Sequence, residues 1–172
     1  MSLTPRPARA VFALGSNLGD RAATLQGAVD ALADAPGITP VAVSPVYETA
    51  PVGGPPQPNY LNAVLVVDTV LAPEVLLDRA RATEDAFGRV RGERWGARTL
   101  DVDLLVVGDQ VRADPELTLP HPRAQERAFV LLPWCDVAPQ DELPGYGRVA
   151  DLAAAADRAG VRRTGVVLEL PA

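Results

Sequence analysis

Residues 88–107, GRVRGERWGARTLDVDLLVV, run a cluster of arginines into an apolar strand that carries two carboxylates. From Leu100 onward the composition is that of a buried strand. Period-two alternation puts Leu100, Val102, Leu104 and Val106 on one face and Asp101, Asp103, Leu105 and Val107 on the other. The carboxylates then share a face, with Cα atoms about 6.5 Å apart. Two negative charges half-buried together are costly without counter-charge. Two readings supply it: ion pairs from Arg89, Arg91, Arg94 and Arg98 at an exposed strand end, or a site that takes metal ions and a polyphosphate.

The size and composition narrow the chemistry. A length of 172 residues suits one core, so residues 10–172 are read as a single domain behind a mobile leader, 1–9. The net charge is −6, a field that repels nucleic acid, and the arginines of 89–98 are a local exception suited to a small anion. With one cysteine, Cys135, and one histidine, His121, neither a disulfide framework nor a Cys/His zinc cluster can form. Oxygen ligands and a hard cation remain, which points to Mg²⁺. The chain holds no apolar run of membrane-spanning length and no signal-peptide pattern. The expectation is a cytoplasmic protein, a monomer, with no nucleic-acid or membrane partner.

Taken in order, residues 10–14 read as a strand and 15–20, GSNLGD, as a turn whose Asp20 caps a helix bearing Leu25, Ala28, Val29 and Leu32 on one face. The turn lacks the Lys-Ser/Thr of a phosphate loop. Residues 41–48 read as a second strand. The segment 49–59, with four prolines and two glycines, is a loop, either a binding loop or a loose tip. Residues 60–69 form a strand that places Tyr60 and Asn62 side by side, for packing or for stacking on and hydrogen bonding to a flat heterocycle. Pro73 starts a helix that runs through Glu84 to a stop at Gly88.

After the carboxylate strand, Gly108-Asp109 reads as a hairpin turn with 110–112 returning. His121, held extended by Pro122, stands close in sequence to Arg123 and Arg127, as a structural histidine or a phosphate contact. Residues 149–158 read as a helix and 166–170 as an edge strand. The order strand, helix, strand, strand, helix, strand is that of an α+β, ferredoxin-like βαββαβ sandwich with helices on one face of an antiparallel sheet.

Together the segments ALGSNLGDR, SPVYETAPVG, QPNYLNAV, RWGARTLDVDLL and LPHPRAQERAFVL, in this order between Val11 and Pro139, resemble the 6-hydroxymethyl-7,8-dihydropterin pyrophosphokinases of folate biosynthesis. Beyond Pro139 no match is recognisable. The resemblance implies a ferredoxin-like fold and transfer of a diphosphate from ATP to the hydroxymethyl group of the pterin, with release of AMP. It implies that Asp101 and Asp103 bind two Mg²⁺ ions and that Arg89 and Arg91 act in catalysis. Glu84, Arg91, Trp95, Arg98, His121 and Arg127 would meet ATP. Tyr60 and Phe129 would sandwich the pterin, with Asn62 and the backbone of Thr49, Pro51, Val52 and Gly53 reading its edge. The rival class is a non-catalytic ferredoxin-like module that binds a small ligand or RNA for regulation. An RNA-binding sheet would want exposed aromatics and a basic surface, whereas this chain has few aromatics and an acidic balance.

Overall fold

A computed structural model describes residues 6–51, 56–88 and 99–172. The elements of the expected repeat are β1 (Ala8–Ser16), α1 (Arg21–Ala33), β2 (Ile38–Val43), β3 (Tyr47–Thr49), β4 (Tyr60–Thr69), α2 (Pro73–Ala86) and β5 (Asp101–Val107). All sheet pairings are antiparallel. β4 and β1 are central, β5 lies outside β1, and β2 and β3 share the other side of β4. This is the strand order of a βαββαβ sandwich, with β2 and β3 filling one position between them.

Asp20 caps α1 as expected, its Oδ1 accepting the Ala23 N–H at 3.1 Å, and Leu25, Ala28, Val29 and Leu32 are buried. Several boundaries differ from the sequence reading. β1 begins at Ala8, which pairs with Thr69, so Ala8 and Arg9 belong to the sheet and not to a leader. The single strand expected over 41–48 is two, β2 and β3. At the break, Ser44 takes over the ladder with a side chain. Its N–H donates to the Val64 carbonyl at 2.9 Å, and its hydroxyl oxygen accepts the Val64 N–H at 2.8 Å. Pro45, which has no N–H to donate, comes immediately after.

Helices cover both faces of the sheet, not one. α1 and α2 pack on the face formed by Phe12, Leu14, Leu65, Val67 and Leu104. The second face, with Val11, Val64 and Val66, is covered by α3 (Ala128–Val137) and α4 (Val149–Ala155) through Val130, Trp134 and Val149. Both faces of β4 are thus buried, which its unbroken apolar run requires. α4 stops at Ala155, three residues short of the expected helix.

β5 departs from simple alternation. The register with β1 slips between Val11 and Phe12, which face Val106 and Leu104. Leu105 is therefore an extra residue, a bulge that exchanges the faces of the strand residues after it. Val106 joins Leu105 on the α3 side and Val107 joins Leu104 on the α1 side, the reverse of the expected placement. Residues 110–112 also do not return along β5. β6 (Arg112–Ala113) pairs instead with β7 (Thr118–Leu119). A second small ribbon joins β8 (Glu142–Leu143) and β9 (Gly147–Arg148).

The edge strand expected at 166–170 is absent. The strand that closes this edge is β10 (Val161–Arg163), paired with β3. The tail after it lies against α1, where the Gln26 carboxamide satisfies the backbone of Glu169 in both directions, at 2.8 and 2.9 Å. Val166, Leu168 and Leu170 pack on the α1 side, so apolar alternation here reports a docked tail and not a ladder. Among the described residues no helix is long and apolar enough to cross a membrane.

Candidate active site

The floor of the site is the second sheet face where β1 runs out. Along this face the β1 side chains shrink from Val11 to Ala13 to Gly15, leaving room above the sheet. Gly15 pairs with Asn62 on one side and Asp101 on the other, so a carboxamide and a carboxylate flank a residue with no side chain. A Cβ at Gly15 would stand 3.2 Å from Asn62 Oδ1 and 3.5 Å from Tyr60 Cδ1. The first approach is tight and the second ordinary, so the absence of a methyl spares the Asn62 carboxamide a shift. Above this row opens a cavity of about 450 Å³ lined by residues of the sheet, α2, and the segment leading into α3, a size suited to a small molecule.

On the β5 side, Asp101 and Asp103 both line the cavity and both are half-buried, so the strand reading of a shared face holds for this part of β5. Glu84, in the last turn of α2, is buried and accepts the Val102 N–H at 3.0 Å. That bond satisfies a backbone donor of the edge strand between the two aspartates and fixes α2 to the site. His121 is tied to the same strand, its N–H donating to the carbonyl of the bulge residue Leu105 at 2.8 Å. Its Nδ1 accepts the Arg123 N–H at 3.2 Å. Burial pushes the imidazole pKa below its ordinary value; Asp103 opposes this, while Arg127 and Arg123 add to it. Burial likewise lowers that of Arg127, whose guanidinium lies 5.6 Å from the Phe129 ring centroid.

On the β4 side, Tyr60 and Phe129 line the same cavity as Asn62, Thr49 and Pro51. Asn62 Nδ2 donates to Thr49 Oγ1 at 2.9 Å, which orients a buried carboxamide. The β1–α1 turn holds the arm that returns to Tyr60. Asn17 Nδ2 donates to Gln57 Oε1 at 2.7 Å and to the Pro58 carbonyl at 3.2 Å. The GSNLGD turn thus acts on a neighbouring segment, as its lack of a phosphate-loop pattern allows.

The structure therefore gathers Glu84, Asp101, Asp103, His121 and Arg127 with Thr49, Pro51, Tyr60, Asn62 and Phe129 around one space. Val52, Gly53, Arg89, Arg91, Arg94, Trp95 and Arg98 lie outside the described residues. Among the described residues no three His, Cys, Asp or Glu side chains are placed to hold a metal ion by themselves. Two carboxylates on one strand face are a hard, oxygen-only donor set. They fit a cation that keeps most of its shell for water and phosphate, as Mg²⁺ does.

Comparison with known proteins gives the family. The family model for 7,8-dihydro-6-hydroxymethylpterin-pyrophosphokinase (HPPK) matches residues 11–139. The chain belongs to this family. A 2-amino-4-hydroxy-6-hydroxymethyldihydropteridine pyrophosphokinase of Pseudomonas aeruginosa is 45% identical over 155 residues, 90% of this chain and 96% of that one. One from Mycobacterium leprae is 48% identical over 180 residues, covering 94% and 92%.

Among solved structures, a wild-type Plasmodium falciparum HPPK-DHPS with pterin and p-hydroxybenzoate aligns with a TM-score of 0.69 at 16% identity. The alignment covers 89% of this chain and 44% of that one; the chain spans less than half of that protein's length. This likeness bears on the HPPK fold alone. The HPPK family match ends at Pro139, before β8, β9, α4 and β10.

Ala13, Gly15 and Gln57 are among the cavity residues that escaped the sequence reading as site residues. The first two were legible in principle, since two small residues alternate on a central strand whose other positions are bulky. Gln57 sits among prolines, and the bond it accepts from Asn17, forty residues away, leaves no mark in the local sequence. Arg123, weighed with His121 as a phosphate contact, also lines the cavity.

Proposed function

We propose that this HPPK-family chain transfers the diphosphate of ATP to the hydroxymethyl group of 6-hydroxymethyl-7,8-dihydropterin, in folate biosynthesis. The observation that carries the reading is one cavity lined both by a carboxylate pair on β5 and by two aromatic side chains with an oriented carboxamide. Two substrates of different chemistry call for two such sets of groups. In the reaction the pterin hydroxymethyl oxygen forms a bond to ATP's β-phosphorus. The bond from that phosphorus to the oxygen bridging it to the α-phosphate breaks, AMP leaves with the electron pair, and the hydroxyl proton passes to solvent.

Asp101 and Asp103 are the groups that would hold Mg²⁺, two ions in our reading. Bound there, the metal would neutralise phosphate charge and polarise the transferring group. Arg127 and His121 line the same cavity and supply cationic and N–H donors to phosphate oxygens; Arg89, Arg91, Trp95 and Arg98 are assigned to ATP by the family motif. Tyr60 and Phe129 hold the pterin by stacking, and Asn62, fixed by Thr49, reads its edge with Pro51, Val52 and Gly53. Orientation and charge neutralisation are most of what such a transfer requires. The same reading takes the enzyme as a monomer.

The test is product identity. Protein incubated with Mg²⁺, ATP and 6-hydroxymethyl-7,8-dihydropterin is expected to release AMP in step with pterin consumption, read by chromatography. Stoichiometric ADP would mean attack on the γ-phosphorus. No pterin-dependent cleavage would favour a binding module, and either result overturns the reading.

A further inference from the structure

The segment 50–59 leaves the sheet at the end of β3 and returns at the start of β4, and its two ends are held by one charged cluster. Arg21, the first residue of α1, donates through Nη1 to Glu48 Oε2 at 3.1 Å and to the Asn59 carbonyl at 2.8 Å. The second Glu48 oxygen accepts from Arg162 Nη2 at 2.5 Å. Arg162 stands directly opposite Glu48 in the β10–β3 ladder, as a cross-strand partner must. The ladder is continued by Thr164, whose N–H and hydroxyl both donate to the Val46 carbonyl.

Glu48 and its neighbour Thr49 point to opposite faces. Glu48 is turned to α1, while Thr49 lines the cavity and orients Asn62. The Glu48 side chain keeps only 15% of its exposure, so its two guanidinium partners act on a largely enclosed charge. Hydrogen bonding from Arg162, foremost, and from Arg21 lowers its pKa against the opposing effect of burial.

We propose that Arg162 is a positioning residue for pterin binding. Through Glu48 and Arg21 it fixes both ends of segment 50–59, and with them the places of Thr49, Pro51 and Tyr60 in the cavity. The C-terminal strand, beyond the part of the chain that the family model covers, is on this account a piece of the active-site scaffold. It also covers the outer edge of β3, a three-residue strand whose other edge pairs with β4. The inference rests on the pterin reading of the cavity.

The experiment compares wild type, Arg162→Ala and Arg162→Lys in three measurements: pterin affinity and ATP-analogue affinity by calorimetry, KM and kcat in the AMP assay, and hydrogen exchange of peptides covering residues 46–62. Arg162→Ala is expected to weaken pterin binding and raise its KM roughly three- to tenfold, the upper range for one ion pair. ATP-analogue affinity, and kcat at saturating pterin, should stay within about twofold. Exchange should quicken across 46–62 and stay unchanged in α2 and β5. Arg162→Lys, which keeps the cation, should recover most of the affinity.

Unchanged pterin affinity in Arg162→Ala overturns the proposal, whether or not exchange responds. A matching loss for both ligands also overturns it, since that marks a general structural role. A wild type that fails to bind pterin would instead overturn the reading of the cavity, and the role of Arg162 with it.

Discussion

Asp101 and Asp103 are the only two carboxylates that β5 places in the cavity, on a strand otherwise made of apolar residues. Because each is assigned a share of the same neutralising charge, Asp101→Asn or Asp103→Asn should lower turnover by a few orders of magnitude, on the order of 3–5 kcal/mol in the barrier. Circular dichroism of the variant should remain that of a folded protein. Near-normal Mg²⁺-dependent turnover in either variant would remove the metal assignment. Phe129 makes a different demand. Its ring lines the cavity and is assigned to the pterin, so Phe129→Ala should weaken pterin binding by roughly 1–3 kcal/mol and leave ATP binding largely alone. Separate titrations of the two ligands check this, and an equal loss for both would count against a divided cavity. Glu84 acts on backbone. Its removal in Glu84→Ala would strand the Val102 N–H, which it satisfies at 3.0 Å, costing about 1–3 kcal/mol of stability measurable by denaturant titration.

At the level of elements, the legible part of the sequence rested on periodicity and punctuation, and the illegible part on contacts distant in sequence. β4 and α1 were readable because apolar spacing, Asp20 and the glycine and proline stops all agree. The placement of both aspartates on one face needed only the three residues Asp101-Val102-Asp103 of regular strand. Beyond them the Leu105 bulge was invisible, since a run of Leu, Leu, Val and Val carries no polar mark to show a change of face. β10 was missed for a similar reason: Val161-Arg162-Arg163 is too short and too charged to read as a strand, and it forms by pairing with β3.

The α3 layer also gives β3 a titratable tie. Tyr47 donates its hydroxyl to Asp136 Oδ2 at 2.6 Å, and burial, then that carboxylate, push its pKa up to about 12. The folded state thus keeps a proton that the unfolded chain gives up near pH 10. Stability from this tie is fully present below pH 10 and falls as pH rises towards 12. Thermal melts between pH 9 and 12 should show a shallower decline for Tyr47→Phe than for wild type. Parallel curves would show that the tie does not differ between the two states.

For the whole molecule, the governing fact is a net charge of −6 in a chain whose assigned co-substrate is a polyanion. ATP alone would bring further negative charge to a cavity already holding two aspartates, which favours binding only if a cation comes with it. Binding to the folded state alone stabilises it by mass action, about 2.7 kcal/mol at a free ligand concentration near 100 Kd. For a domain of this size that is a rise in melting temperature of roughly 5–10 °C. Melts with Mg²⁺ and a non-hydrolysable ATP analogue should show that rise. Chelating the divalent ions with EDTA should abolish most of it. Pterin in place of the nucleotide should stabilise the protein to a similar degree with or without EDTA, because Tyr60, Asn62 and Phe129 need no metal to hold a neutral ring. A nucleotide shift that survives chelation would mean that arginines alone carry the phosphate charge, and the carboxylate pair would then need another explanation.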